Sequence, residues 1–238
     1  MIKNPTIPDL NLWIGAIERF NKHGQRRIAA VHRGFYPFEK TALRNIPKWE
    51  LVIELKRQLH NLPILTDPSH MAGNTRYIES ISQKALDLDM DGLMIECHIN
   101  PAEALSDAGQ QITPSELAVL LGNLICRSVS LDSPGFMGQL EQYREQIDSI
   151  DSQMIELLSQ RMKVVEKIGR YKCKNNITIL QLRRWENIIA TRTEMGISMG
   201  LHEGFIMKLL QLIHKESIGR QVEIMNKLKK KESGPEED

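Results

Sequence analysis

The sequence, 238 residues long, has few of the features that mark membrane-spanning, secreted or zinc-thiolate proteins. Its three cysteines, Cys97, Cys126 and Cys173, form no CxxC pair, so they give no zinc or disulfide signature and favour a reducing compartment. No apolar run approaches the roughly 20 residues of a membrane span. The N-terminus also lacks the apolar core of a signal peptide. We therefore expect a cytoplasmic protein with no membrane partner.

An excess of charge of one sign is also absent. Lys and Arg number 31 and Asp and Glu number 30, for a formal net charge of +1. Nucleic-acid binders usually carry a basic excess, so no nucleic-acid partner is predicted. A lysine-rich run near the C-terminus is followed by acidic residues, which predicts a solvated, disordered tail over 231–238. The length and the 41% hydrophobic content indicate one or two globular domains.

The first half of the sequence alternates short apolar runs with amphipathic stretches. Residues 27–34, 62–70 and 91–98 predict buried strands, and residues 48–60 and 75–88 have helical periodicity. Alternating strands and helices predict an α/β domain with a parallel sheet, which we assign to residues 1–126. Each predicted strand ends in a polar cluster, at the sheet edge where the chemistry of such folds gathers.

The second half of the sequence predicts helices only. A linker rich in Ser, Pro and Gly over 127–138 precedes an all-α domain over 139–230. Apolar residues run from Leu140 to Tyr171 at spacings that alternate between three and four. This heptad seam of about 30 residues is typical of a helix packed against other helices or a second copy. Such a helix therefore needs either other helices or a second copy of the chain along its length, and a homodimer through these helices is the second of these possibilities.

Several polar residues interrupt the apolar stripes of the predicted helices. Arg161 lies within the seam, and Lys172, eleven residues later, lies within about 20° of the same face. Ser217 and Gln221 fall on the apolar stripe of the last helix, and the middle helix adds Arg184. Taken one at a time, each of these residues is consistent with an ordinary polar residue of the core whose hydrogen bonds are satisfied. Together, with no carboxylate opposite them, they favour a buried anion site.

This helical segment resembles the helical chorismate mutases. The resemblance rests on YREQIDSIDSQMIELLSQRMKVVEKIGRYK (143–172), RRWE (183–186) and LLQLIHKESIGRQ (209–221). It implies the rearrangement of chorismate, a dianion, to prephenate without any cofactor. It also implies that Arg161 and Arg144 of a second copy clamp the two carboxylates and that Lys172 and Gln221 donate to the ether oxygen. By the same resemblance, Arg184 and Ser217 complete the carboxylate contacts.

Two positions qualify the mutase resemblance. Arg144 lies seventeen residues before Arg161, roughly 100° away from its stripe, which is why the resemblance places it in the pocket of a second copy. Many relatives have a glutamate that binds the substrate hydroxyl directly after the arginine matching Arg184. This sequence has Trp185 there, and Gln181, one turn earlier, is a candidate for that contact.

In the α/β segment, three metal-ligating residue types follow successive predicted strands. His70 ends DPSH, Glu96 lies in ECH, and Asp107 follows eleven residues later. Mixed nitrogen and oxygen ligands suit a divalent metal such as Mn²⁺. Lys3 and Arg33 lie at two other polar turns, where cations can hold phosphate.

Residues 1–125 resemble the second half of a 3-deoxy-7-phosphoheptulonate (DAHP) synthase. The matching motifs are KNPTIPDLNLWIGA (3–16), HRGF (32–35), LRNIPKW (43–49), DPSHMAG (67–73) and DGLMIECHINPAEALSDAGQQ (91–111). The resemblance implies a (β/α)₈ barrel that condenses phosphoenolpyruvate with erythrose 4-phosphate. It makes His70, Glu96 and Asp107 metal ligands, and Lys3 and Arg33 phosphoenolpyruvate-binding residues.

The family's fourth metal ligand, a cysteine on the first strand, has no match here. Cys97 neighbours Glu96 on a strand and should point to the opposite face. A full barrel needs about 250 residues, so we expect the C-terminal half of a TIM barrel, inactive as a synthase on its own.

Three functions remain open at this point. The first is a bifunctional synthase and mutase, and the second is a monofunctional mutase with the half barrel as a structural or regulatory appendage. The third is a non-enzymatic helical interaction protein, which Arg161 and Gln221 disfavour because an oligomerisation helix does not need them in its apolar stripes.

Overall fold

The fold is taken from a computed structural model that describes residues 1–127 and 134–232, with side chains described over 1–127 and 138–228. The chain divides into two compact units, Met1–Leu131 and Asp132–Asp238. Of the predicted linker, residues 128–133 lie outside the described residues. Residues 134–138 belong to a helix, so the linker prediction is wrong there. A proline in the first helical turn does not interrupt a helix, because the backbone N–H that proline lacks would have no hydrogen-bond partner within the helix at that position.

The first unit alternates strands with helices, as predicted. Its elements are β1 (Ile2–Lys3), α1 (Leu10–Lys22), β2 (Ala30–His32), α2 (Trp49–Gln58), β3 (Ile64–Thr66), α3 (Pro68–Ala72), α4 (Ile78–Asp87), β4 (Gly92–Leu93) and α5 (Pro114–Asn123). Short 3₁₀ turns cover Thr75–Tyr77, Pro101–Glu103 and Ala108–Gln110. The helices α1 and α5 begin at side-chain caps, from Asp9 and Thr113 respectively, which satisfy backbone N–H groups of the first turn.

The four strands form one parallel sheet in the order β1-β2-β3-β4. The strands β2, β3 and β4 are shorter than the predicted apolar runs, because pairing is limited to two or three residues per strand, and β1 was not predicted. Parallel neighbours in sequence order place all four carboxyl ends at one edge of the sheet. That edge carries the polar segments after Lys3, His32, Thr66 and Leu93.

Two apolar clusters hold the first unit together. The larger packs α1 and α2 against the sheet through Trp13, Ile17, Val52, Leu55 and Ile64. The smaller joins α3, α4 and α5 through Met71, Ile78, Ile81 and Leu120. Buried apolar side chains of this size each contribute about 1.5–3 kcal/mol. The short α3, at the end of β3, is thereby fixed between sheet and helices.

The second unit consists of three helices, α6 (Pro134–Lys174), α7 (Leu182–Ser198) and α8 (Glu203–Glu232). Helix α8 packs against both others. Its predicted stripe lies on the inner side, where Ile206, Ser217 and Gln221 are buried. Gly169 of α6 permits the close approach, since a Cβ atom there would lie 3.3 Å from the Cα atom of Gln221. The predicted fold class, α/β followed by all-α, is confirmed.

The heptad seam of α6 is exposed in the single chain. Its apolar side chains are between 42% and 65% exposed; they are Tyr143, Ile147, Ile150, Met154, Leu157, Val164, Ile168 and Tyr171. Helix α8 instead packs on an adjacent face of α6 that includes Val165 and Gly169. Among the described helices, none is both long enough and apolar enough to cross a membrane.

Candidate functional site

The first candidate site is a cluster of three ligand-type side chains at the carboxyl edge of the sheet. His70 lies on α3, directly after β3, and Glu96 and Asp107 follow β4. One ligand atom from each of the three lies within 4.8 Å of the others. The Nε2 atom of His70 is 3.6 Å from Oε1 of Glu96 and 3.8 Å from Oδ2 of Asp107. The structure thus brings together the three residues that the sequence predicts as metal ligands.

A buried carboxylate orients the histidine. The fully buried Asp67 caps α3, accepting from the backbone N–H of His70 through Oδ1 at 3.1 Å. Its Oδ2 atom lies 2.8 Å from Nδ1 of the same imidazole. The two atoms do not meet hydrogen-bond geometry, but a carboxylate this close favours the proton on Nδ1, which leaves Nε2 with its lone pair toward a metal. The DPSH motif therefore supplies both a ligand and the residue that orients it.

Arg44 and Gln110 orient the two carboxylates. Arg44 donates from Nη1 to Oδ1 of Asp107 at 2.7 Å and to Oε1 of Gln110 at 2.8 Å. Gln110 in turn donates from Nε2 to Oε2 of Glu96 at 2.7 Å. Each carboxylate uses one oxygen in this network and keeps the other near His70. The donor set and its hydrogen-bonded support fit a divalent metal.

Positive charge surrounds Asp107. The hydrogen bond from Arg44 lowers the pKa of the Asp107 carboxyl most, and nearby cations, including Arg33, lower it further. Arg33 is held by Asn4, which accepts from the Arg33 backbone N–H at 2.8 Å. Lys3 lies at the end of β1, and no described contact joins its side chain to the cluster. The structure therefore brings Arg33 near the ligands and gives no such contact for Lys3.

Local backbone geometry explains how Arg44 reaches the cluster. Gly73, at the end of α3, has a φ of 67°, in the left-handed region that favours glycine. A Cβ atom on Gly73 would lie 2.5 Å from Cβ of Arg44.

Sequence reasoning missed Arg44, Gln110 and Asp67 as site residues. Only Asp67 has a sequence signal, since it precedes a proline and lies three residues before His70, as an N-cap does.

The second candidate site lies in the helical unit. A cavity of about 450 Å³ is bounded by α7, α8 and Arg161 of α6. Arg161 donates from Nη1 to Oγ of Ser217 at 2.6 Å, which links α6 to α8. Gln221 is buried one turn further along α8 and donates to the backbone carbonyl of Ser217 at 3.2 Å. Its Oε1 atom is buried without a hydrogen-bond partner among the described residues.

Of the predicted residues, Arg161 and Arg184 line this cavity, and Lys172, Ser217 and Gln221 are not part of its lining. Arg184 of α7 is part of its lining. Lys172 is buried and donates from Nζ to the carbonyl of Ile179 at 2.5 Å. Partial burial lowers the pKa values of Lys172 and Arg161, because it removes part of the water that stabilises the charged form. Cations in a partly apolar cavity favour an anionic ligand.

Arg144 does not reach this cavity within its own chain. It is exposed, and its Nη1 atom lies 3.3 Å from Oε2 of Glu141, one turn away. Helix α6 is unbroken between Arg144 and Arg161, so about 1.5 Å per residue separates them by about 25 Å. Gln181, the candidate for a hydroxyl contact, caps α7 and is not part of the cavity lining. Sequence reasoning missed two residues that are part of it, Arg192 and His214.

Comparison with known families divides the chain at the same place as the two sites. Residues 1–125 match the model of the DAHP synthetase I family, and residues 143–222 match that of chorismate mutase type II. The first match contains the His70 cluster, and the second contains the cavity with Arg161. Both domains are present in one fused chain.

Two relatives of similar sequence agree with the family matches. A phospho-2-dehydro-3-deoxyheptonate aldolase of Thermotoga maritima is 30% identical over 112 residues, covering 47% of this chain and 32% of that protein. A bifunctional chorismate mutase/prephenate dehydratase of Buchnera aphidicola is 34% identical over 85 residues, covering 36% and 22%. A solved DAHP synthase structure from Thermotoga maritima is 28% identical, with a TM-score of 0.47, and the match covers 50% of this chain and 35% of that one. The chain therefore spans less than a third of either curated relative.

Proposed function

The chain belongs to the DAHP synthetase I family and carries a type II chorismate mutase domain, and we propose that it serves aromatic amino acid biosynthesis through both. The proposed mutase reaction converts chorismate to prephenate in the helical unit. The proposed synthase chemistry, condensation of phosphoenolpyruvate with erythrose 4-phosphate, belongs to the barrel of which residues 1–125 form a part. Two separate ligand constellations in one chain favour this over a mutase with an inert appendage.

The observation that carries the mutase proposal is the hydrogen-bonded set across α6 and α8. Arg161 and Ser217 are joined at 2.6 Å, with Gln221 one turn away and Lys172 buried nearby. Chorismate rearranges within itself, so its enzyme needs neither nucleophile nor proton transfer. It needs groups that hold the compact conformer and stabilise the negative charge growing on the ether oxygen.

Each of the predicted site residues of the helical unit has a role in this proposal. Arg161 and Arg184 bind the substrate carboxylates, and Ser217 holds Arg161 in position. Lys172 and Gln221 donate to the ether oxygen. Arg144 of a second copy completes the pocket, because about 25 Å of helix separates it from Arg161 of its own chain. The active form is accordingly a homodimer.

The mutase proposal predicts metal-independent turnover. The purified chain in excess chelator should convert chorismate to prephenate at an undiminished rate, measured as loss of chorismate absorbance. Lys172→Met removes a donor to the developing charge and should lower kcat by about 10²–10³. Lys167→Met, which changes an exposed lysine of the same helix, is the matched control and should keep native activity. A folded dimer without activity would refute the assignment.

The His70 cluster supports a divalent metal, such as Mn²⁺, in the synthase unit. His70 would bind it through Nε2, with Glu96 and Asp107 each giving one oxygen. When bound, the ion supplies Lewis-acid polarisation of a substrate oxygen. The chain's own residues hold the site in position: Asp67 fixes the imidazole, and the nearby Arg33 supplies positive charge for the phosphate of phosphoenolpyruvate.

A metal titration tests this site. Asp67→Asn keeps the acceptor for the helix cap but loses the carboxylate next to Nδ1 of His70. Mn²⁺ affinity of the full chain, measured by calorimetry, should therefore fall by about 10- to 100-fold. Asp87→Asn removes a surface carboxylate paired with Arg127 and should leave the affinity unchanged. Equal affinity in wild type, Asp67→Asn and His70→Ala would exclude metal binding at this cluster.

A further inference from the structure

The lining of the cavity in the helical unit contains many hydrogen-bond donors and almost no acceptors. Three arginines line it, Arg161, Arg184 and Arg192, together with the indole of Trp185. These side chains only donate. The remaining lining residues are apolar, with one exception, His214. Within the described lining, the imidazole of His214 is therefore the one side chain with a strong acceptor lone pair.

The His214 ring is fixed in place but makes no hydrogen bond to any residue that the structure describes. It stacks on Trp185 with ring centroids 3.8 Å apart and an interplanar angle of 11°. Its Nε2 atom is buried and has no partner, and no hydrogen bond from either ring nitrogen is found in the described part of the chain. A buried polar group without a partner is destabilising, so its presence calls for an explanation. The ring is part of the cavity lining, so a ligand there can contact the edge of the imidazole that faces the cavity.

The charge state of His214 suits an acceptor. Burial lowers the pKa of the imidazole, and the positive charges of Arg161 and Lys172 lower it further. The ring is therefore neutral at neutral pH, with one nitrogen donating and the other accepting. A neutral imidazole does not compete with the arginines for a carboxylate. It can accept from a hydroxyl group, which no arginine can do.

We propose that His214 binds the hydroxyl group of the mutase substrate and makes the site specific for it. The inference rests on the proposed mutase function: chorismate carries two carboxylates and one hydroxyl. The arginines match the carboxylates, and His214 matches the hydroxyl. His214 lies three residues before Ser217 and seven before Gln221, so all three lie on one face of α8. The stacked Trp185 holds the imidazole in position.

A substrate analogue separates binding from a structural role. Wild type is assayed with chorismate and with the same molecule lacking the ring hydroxyl, and kcat/KM should be about fivefold lower for the analogue. His214→Leu should lose about the same factor with chorismate and treat the two substrates nearly alike. His214→Gln, which keeps an acceptor, should restore part of the preference. His202→Leu, at an exposed histidine before α8, should behave as wild type.

Other outcomes overturn the proposal. If His214→Leu lowers both rates but keeps the wild-type preference, the histidine is only structural, and the mutase function stands. If wild type itself does not distinguish the two substrates, no residue binds the hydroxyl; this result does not depend on how the variants fold. If wild type turns over neither substrate, the proposed mutase function fails together with this inference.

Discussion

At the scale of single residues, His32 illustrates how burial decides a charge state. Its imidazole is fully buried between Trp13, Phe35 and Trp49, and Nε2 lies 2.5 Å from the carbonyl oxygen of Pro47. Burial lowers its pKa from 6.5 to about 4. The unfolded chain thus binds this proton more tightly than the folded chain. Stability is complete above pH 6.5 and falls as the pH drops toward 4.

This shift predicts an acid sensitivity of the first unit. Between pH 7.5 and pH 5, His32 should lower the free energy of unfolding by about 2 kcal/mol. His32→Phe, which fills the aromatic cluster with an uncharged ring, should lose that part of the pH dependence. Urea unfolding followed by the fluorescence of Trp13 and Trp49 measures it, with exposed His60→Phe as control. A His32→Phe chain as acid-sensitive as wild type would contradict this assignment.

Residue patterns predicted that His70, Glu96 and Asp107 would lie close together, because these residues follow strand ends in sequence. His70 and Glu96 lie at carboxyl ends of neighbouring parallel strands, and topology alone brings such positions together. Arg44 was beyond prediction because it comes from an irregular segment with no period. Its approach depends on the left-handed turn at Gly73, a tertiary detail. His214 was missed for another reason, since a lone histidine on an apolar stripe has no distinguishing pattern.

At the scale of secondary-structure elements, the central feature is the exposed seam of α6. A row of eight large apolar side chains on one helix is expected at an interface rather than in water. Sequence periodicity predicted the seam and its helix. Which face α8 would cover was not predictable, since it depends on close contacts such as that between Gly169 and Gln221. The three strands were predicted too long because apolar runs continue past the paired residues.

The seam predicts how the proposed dimer can be broken. Ile150→Glu combined with Leu157→Glu places charges where two seams meet and should raise the dimer dissociation constant by at least about 100-fold, since an unpaired buried charge is costly. Sedimentation equilibrium measures the change. Ser152→Glu, on the opposite side of the same helix, should leave the dimer intact. An unchanged dimer dissociation constant for the Ile150/Leu157 variant would show that the seam is not the interface.

At the scale of the whole molecule, two units in one chain each carry a separate constellation. The metal cluster lies in residues 1–127, and the cationic cavity lies in the helices after residue 134. The boundary near residue 130, where alternating strands and helices give way to helices alone, was predictable from the sequence because strands and helices have different hydrophobic periods. The start of α6 was not, because proline and serine mark both linkers and helix starts.

The central claim is a chorismate mutase site completed by a second copy, and subunit mixing tests it most directly. Arg144→Ala and Lys172→Ala chains should each be nearly inactive alone. Mixed and refolded together, each heterodimer has one pocket that lost both groups and one that kept both, by the two-fold symmetry of such dimers. Chorismate turnover should then recover to as much as half the native value per heterodimer. If Arg144 served its own chain's pocket, every pocket would carry one lesion. Heterodimers confirmed by mass without recovered activity would contradict the account.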